Sequence, residues 1–204
     1  MSTTVTLSAA ERARLAALVD AALQRVTGAL TEMFGTAVTV TAVHIRTVPL
    51  AAAGALIGNP ELEVAAVYLS AAGGLPGHLL LLMPLAGARE LCDVLLEQPP
   101  GTTTTLGELE ASALGEVGNI VGSCFLCSLA DRAGLRMQVT PPGVFCDMAG
   151  AAISLALVEV AMYADEVIVI DAGFLYEGHH LPAWFLAFPE PSHLAAVLAR
   201  GGAA

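Results

Sequence analysis

Two long amphipathic stretches, about Ser8 to Phe34 and about Gly107 to Ala133, stand roughly one hundred residues apart, and each is followed by the same series of shorter elements. In the first half a capping box of Ser8 and Glu11 starts the long helix and Gly35 stops it. An alternating strand near Val38 to Arg46 and a short Ala-rich helical segment after Pro49 come next. Two strands, Leu62 to Ser70 and His78 to Leu82, form a hairpin, and a helix at Leu85 to Leu96 closes the half. The linker Gln98 to Thr105 leads into the second copy. There the long helix is followed by a strand near Leu135 to Val139 and a helix after Pro141-Pro142-Gly143. A hairpin of Val167 to Ala172 with Ala183 to Phe188, and a last helix Ser192 to Ala199, complete it. Aligned on the long helices, Ala29-Leu30 falls on Ser128-Leu129, and Pro84-Leu85 falls near Pro189-Glu190.

A duplication of this kind predicts an α/β (α+β) fold with pseudo-two-fold symmetry: one central, mostly antiparallel sheet, with two long helices presenting a shared face. Neither half has enough surface to bury its apolar strands alone, so residues 1–204 are expected to form a single domain of two repeats, about 1–100 and 101–204. Composition agrees, since 56% of residues are hydrophobic, 13% are charged and the mean hydropathy is +0.73.

So apolar a chain raises the question of a membrane. The longest run without Asp, Glu, Lys or Arg is Val64 to Ala88, but Gly73-Gly74-Leu75-Pro76-Gly77 interrupts its middle, which predicts two strands and a turn, not a spanning helix. The polar opening lacks a basic segment ahead of an apolar core, so a cytoplasmic protein is expected. Net charge is −11 and the eight basic residues are scattered, which argues against nucleic acid as a partner. Of the four cysteines, Cys124 and Cys127 form a C-x-x-C inside a helical pattern; with no second Cys or His pair nearby, two buried small apolar residues are the favoured reading. No nucleotide-binding glycine fingerprint occurs.

At about 100° per residue, Leu114, Val117, Ile120, Val121, Cys124 and Phe125 of the second long helix form a buried stripe. Opposite them Ser112, Glu116, Asn119 and Ser123 fall within an arc of about 60°. Beside that row lie Gly115, Gly118 and Gly122, each costing about 1 kcal/mol against Ala in a helix interior. Close packing of a neighbouring element is the simpler reason for them; approach of a partner's backbone is the other. A Glu and an Asn at i and i+3 on a solvated face are, taken alone, ordinary surface residues.

The segment Ser112-x3-Glu116-x2-Asn119, followed after twenty-two residues by Pro142, resembles the signature of the CheC, CheX and FliY phosphatases of chemotaxis, most of all a free-standing CheC. Gly118-Asn119-Ile120, the strand ending in Met83-Pro84-Leu85 and the repeated halves extend the resemblance over nearly the whole chain. It implies a phosphatase acting on the phospho-aspartate of a CheY-like receiver domain. In that scheme Asn119 orients the attacking water and Glu116 grips a receiver lysine, with Ser112 and Pro142 in support. The Mg²⁺ belongs to the receiver, and no cofactor or metal of this chain's own is implied. A CheD-like deamidase is a further partner the family suggests. The rival is a non-catalytic adaptor of the flagellar-switch or CheC type, against which the retained Glu and Asn argue.

In the first long helix the equivalent positions hold Ala13, Ala17 and Asp20. Ala17 makes no ion pair, and a carboxylate at Asp20 would repel a phosphoryl group. One working site, in the second half, is expected. Other polar candidates weigh less. His179 and His180, in a turn with Glu177-Gly178, lack a third metal ligand; His44 and His78 sit singly on strands; Trp184 is expected to pack on the sheet.

Overall fold

The computed structural model describes residues 8–35, 37–55, 57–161, 166–176 and 178–200. In chain order they form α1 (Ala9–Phe34), β1 (Val38–Pro49), a 3₁₀ turn (Leu50–Ala55), β2 (Glu63–Gly73), β3 (Gly77–Pro84), α2 (Leu85–Leu95), α3 (Glu108–Ala133), β4 (Met137–Val139), β5 (Gly143–Met148), α4 (Ala149–Val160), β6 (Glu166–Tyr176), β7 (His179–Pro189) and α5 (Pro191–Arg200). The expected capping box is present: the Ser8 hydroxyl accepts from the Glu11 N–H at 3.2 Å, and the Ser8 N–H donates to the Glu11 carboxylate at 2.8 Å. Gly35 and Gly134 end the two long helices in the left-handed region, at φ 66° and 63°.

All strands pair antiparallel in one seven-stranded sheet, in the order β1-β6-β7-β3-β2, with β4 and β5 sharing the outer edge of β2. The two hairpins, β2 with β3 and β6 with β7, meet at the centre through β3 and β7. The outer strands are exchanged. β1 of the first half pairs with β6 of the second, while β4 and β5 of the second half pair with β2 of the first.

The strand expected near Leu135 to Val139 is the short β4, and no helix starts directly after Pro141-Pro142-Gly143. Val144 to Met148 continue as β5 against β2, and the helix begins only at Ala149. The two prolines interrupt the strand because neither has an N–H to donate to a ladder. Thr140 bridges the gap instead, its N–H donating to Ser70 O and its hydroxyl accepting from Ser70 N–H, both at 2.9 Å. The first half shows a milder form of the same irregularity, a register shift between Ala42 and His44 in β1.

One sheet face carries the larger core, where Leu15, Leu18, Val26 and Leu30 of α1 and Leu114, Val117, Phe125 and Leu129 of α3 meet Val67, Leu69, Leu79 and Leu81. Each such side chain contributes about 1.5–3 kcal/mol by leaving water. The opposite face is covered by α4 and the 3₁₀ turn, with Ala152, Ile153 and Ala156 on Leu80, Leu82 and Phe188 and with Trp184 packed at the margin. Val64 to Ala88 is the β2–β3 hairpin running into α2. Among the described residues α3 has the length and apolar composition of a spanning helix, yet 61% of its most apolar stretch is buried inside the protein.

Candidate active site

α3 is held at both ends, at its C-terminus by Gly134, whose N–H donates to Asp131 O at 3.4 Å. The Gly107 N–H donates to the Glu110 carboxylate at 2.9 Å, and the linker ahead of it is tied down by Asp93 of α2, which accepts from Gly101 N–H at 2.6 Å and Thr103 N–H at 2.7 Å. Between these ends the helix lies against β2, β3 and β5, and the three glycines fix how close it comes. A Cβ on Gly118 would collide with Val67, standing 2.8 Å from its Cβ; one on Gly122 would meet Leu79 Cδ1 at 3.2 Å. The glycines therefore serve close packing on the sheet, and approach of a partner's backbone is not their purpose.

Gly115 has a more specific neighbour. A Cβ there would stand 3.3 Å from Pro142 Cγ and 3.4 Å from Val144 Cγ2, so Pro142 packs directly on the turn of α3 that carries Glu116. Two positions that are far apart in the chain thus meet because β5 runs beneath the helix. Pro142 is half-buried, consistent with a wedge that sets the height of α3.

On the outward face Ser112 and Glu116 are exposed, and Asn119 and Ser123 are half-buried. Among the described residues nothing pairs with the Glu116 carboxylate. Asn119 receives one hydrogen bond, from Ser123 Oγ to its Oδ1 at 3.5 Å, and its Nδ2 has no acceptor among the described residues. An unpaired acid and a free amide donor one turn apart, on a helix locked to the sheet, form a rigid grip with no internal partner. Ser112 makes no hydrogen bond to Glu116 among the described residues; it shares the face only. In α1, Ala13, Ala17 and Asp20 occupy the matching turns, with Asp20 exposed, so the face exists twice and its chemistry once.

A sequence model of the CheC-like family matches residues 109–146, the stretch that contains Ser112, Glu116, Asn119 and Pro142. The CheY-P phosphatase CheC of Bacillus subtilis strain 168 is 32% identical over 137 residues, 65% of this chain and 66% of that protein. Over these stretches the chain is similar to the CheC-like family. The aligned stretch spans just under two thirds of that relative's length. FliY of Thermotoga maritima superposes with a TM-score of 0.78 at 16% identity, covering 97% of the CheC-like chain and all of the other. A chain of the CheX-CheY-BeF3-Mg complex of Borrelia burgdorferi gives 0.53 at 16% identity, over 85% of the CheC-like chain and 97% of its own. At such identities these two likenesses concern the fold, a curled antiparallel sheet with paired helices.

The remaining sequence candidates find structural places. His179 Nδ1 pairs with Glu90 at 3.0 Å, and the His180 ring lies over Gly173; Glu177, read with them as one turn, lies outside the described residues. Among the described residues no group of three or more His, Cys, Asp or Glu converges as a metal site. His78 bonds the Tyr68 hydroxyl, and burial holds its pKa below the ordinary value, while His44 is exposed. The expectation that both members of the C-x-x-C are buried is corrected. Cys124 is half-buried with its thiol pKa raised by burial, but Cys127 faces solvent, because it stands four residues after Ser123 and continues the outward row of α3.

Proposed function

We propose that this CheC-like chain hydrolyses the phospho-aspartate of a CheY-like receiver, with Asn119 and Glu116 as the working pair. The observation that carries the reading is the outward pair itself: a carboxylate without a partner and an amide with a free Nδ2, inside the segment that matches the family. The receiver brings its acyl phosphate and its Mg²⁺, so this chain has only to dock and to place a water. Asn119 enters the receiver's site and holds a water in line with phosphorus. The water oxygen forms the new P–O bond, the acyl P–O bond breaks, and the aspartate carboxylate departs while the water's proton goes to the phosphate. An amide suits this task because it donates and accepts without adding negative charge beside the phosphoryl group.

Glu116 anchors the complex through an ion pair with a receiver lysine. Solvent exposure leaves the carboxylate free for a partner, and the rigid helix limits the entropy lost on pairing. Pro142 acts beneath the site by seating the Gly115 turn, and Ser112 extends the contact surface. The protein would work in the cytoplasm beside its receiver, and a CheD-like deamidase is a second candidate partner.

The shared fold fits a second reading as well, an adaptor that binds the receiver or a CheD-like protein without turnover. Phosphate release from a pre-phosphorylated receiver separates the two. Loss of a transition-state positioning group costs about 10²-fold or more, so an Asn119→Ala variant losing less than about threefold would count against the assignment. Binding with no release by the parent chain would favour the adaptor.

A further inference from the structure

Serines inside helices usually turn their hydroxyl back to the carbonyl four residues earlier. Two among the described residues do so: Ser128 donates to Cys124 O at 2.8 Å and Ser154 to Gly150 O at 2.7 Å. Ser123 behaves differently. Its hydroxyl donates to the side chain four residues earlier, Asn119 Oδ1, at 3.5 Å, and both groups are half-buried.

The terminal torsion of an Asn side chain is broad and roughly two-fold, so an unsupported amide swings freely and presents oxygen or nitrogen at nearly equal cost. A donor on Oδ1 removes that ambiguity. It occupies one lone pair of the oxygen, leaves the other for a water proton, and turns Nδ2 away from Ser123. At 3.5 Å the bond is long, as such contacts commonly are before a substrate arrives. The pseudo-symmetric helix offers a comparison. In α1 the positions corresponding to Asn119 and Ser123 hold Asp20 and Gln24, both exposed and unbonded to each other.

We infer that Ser123 is a positioning residue for the phosphatase reaction, orienting the Asn119 amide toward the attacking water; the inference rests on the function proposed above. It predicts an effect on the rate of the chemical step and not on docking, because Ser123 acts through Asn119 while Glu116 holds the partner. Replacement by Ala leaves the helix intact, since Ala is the better helix former.

The test is steady-state phosphate release from a pre-phosphorylated receiver by the full chain and its Ser123→Ala, Ser123→Thr, Asn119→Ala and Ser123→Ala/Asn119→Ala forms, each checked by thermal melting. Ser123→Ala is expected to lower kcat about 3- to 10-fold with KM within about twofold, as for a misplaced reacting group. Ser123→Thr, which keeps the hydroxyl, is expected to retain at least about half of kcat. In the Asn119→Ala background Ser123→Ala is expected to add nothing, the signature of two residues acting as one unit. If Asn119→Ala is crippled while Ser123→Ala matches the parent, raises KM alone, or costs the same in both backgrounds, the Ser123 assignment falls and the phosphatase reading stands. If Asn119→Ala itself turns over normally, both fall.

Discussion

α1 and α3 are the same helix twice. They start at residues 9 and 108, end at 34 and 133, and both stop at a left-handed glycine. Their buried positions also correspond, Leu15 with Leu114, Leu18 with Val117, Ala22 with Val121, Val26 with Phe125 and Leu30 with Leu129. They differ on the two remaining sides. Outward, Ala13, Ala17, Asp20 and Gln24 stand where α3 has Ser112, Glu116, Asn119 and Ser123; toward the sheet, Ala16, Val19 and Leu23 stand where α3 has Gly115, Gly118 and Gly122. The shared stripe fixes the fold, so the other sides were free to diverge. The glycines let α3 settle onto Val67, Leu69 and Leu79.

The largest effect that would sharpen this contrast is functional. Asn119→Ala should cut phosphate release about 100-fold, while Asp20→Ala on the matching turn of α1 should change it less than about twofold. Equal losses would show two working sites. Next comes the seat of the helix. Gly118→Val, which gives α3 the residue that α1 carries at Val19, should destabilise the fold by about 3 kcal/mol, because the Cβ collides with Val67 and the backbone must move. Urea unfolding measures it; a loss below about 1 kcal/mol would mean that the glycines do not set the depth of α3. Gly115→Ala is milder, since Pro142 Cγ at 3.3 Å has only to give by tenths of an ångström. A few-fold fall in turnover with stability changed by less than about 1 kcal/mol is expected.

The junction between the halves supplies two smaller tests. α2 ends not on glycine but on Glu97 at φ 53°, with Glu97 N–H donating to Val94 O and Gln98 N–H to Asp93 O. Where α1 and α3 use Gly, α2 carries a left-handed Glu, so Glu97→Gly should raise stability by about 0.5–1 kcal/mol, read as an increased urea midpoint. In the same loop, hydrogen bonds from the N–H groups of Thr103 and Gly101, opposed by burial, hold the Asp93 carboxyl below its usual pKa. A folded-state value below the unfolded one stabilises the protein fully above the ordinary aspartate value of about 3.9, and this is lost as pH falls through the depressed value. Asp93→Asn should therefore flatten the acid limb of a stability-against-pH curve, and an unchanged limb would contradict the linkage.

The long helices and both hairpins were legible because a helical stripe and strand alternation are local signals, and Ser8 and Gly35 mark ends by their own chemistry. The outward row on α3 was legible for the same reason. β5 was not, because Pro141-Pro142-Gly143 reads locally as the start of a helix, whereas Val144 to Met148 owe their strand to β2, some eighty residues earlier in the chain by the pairing of Glu63 with Met148. The contact of Pro142 with Gly115 and the bond from Ser123 to Asn119 were hidden likewise. One depends on that non-local pairing, the other on a side-chain torsion that spacing leaves open.

The exchange of outer strands reaches beyond stability. A polypeptide with only one such half would have an unfilled edge on its hairpin and a strand with nowhere to lie, and two copies would cure both defects by lending strands to each other. Joining the copies end to end turns a meeting that depends on dilution into one at an effective concentration of about millimolar. Assembly then no longer requires the two copies to stay identical, which leaves one helix free to lose its acid and amide while the other keeps them.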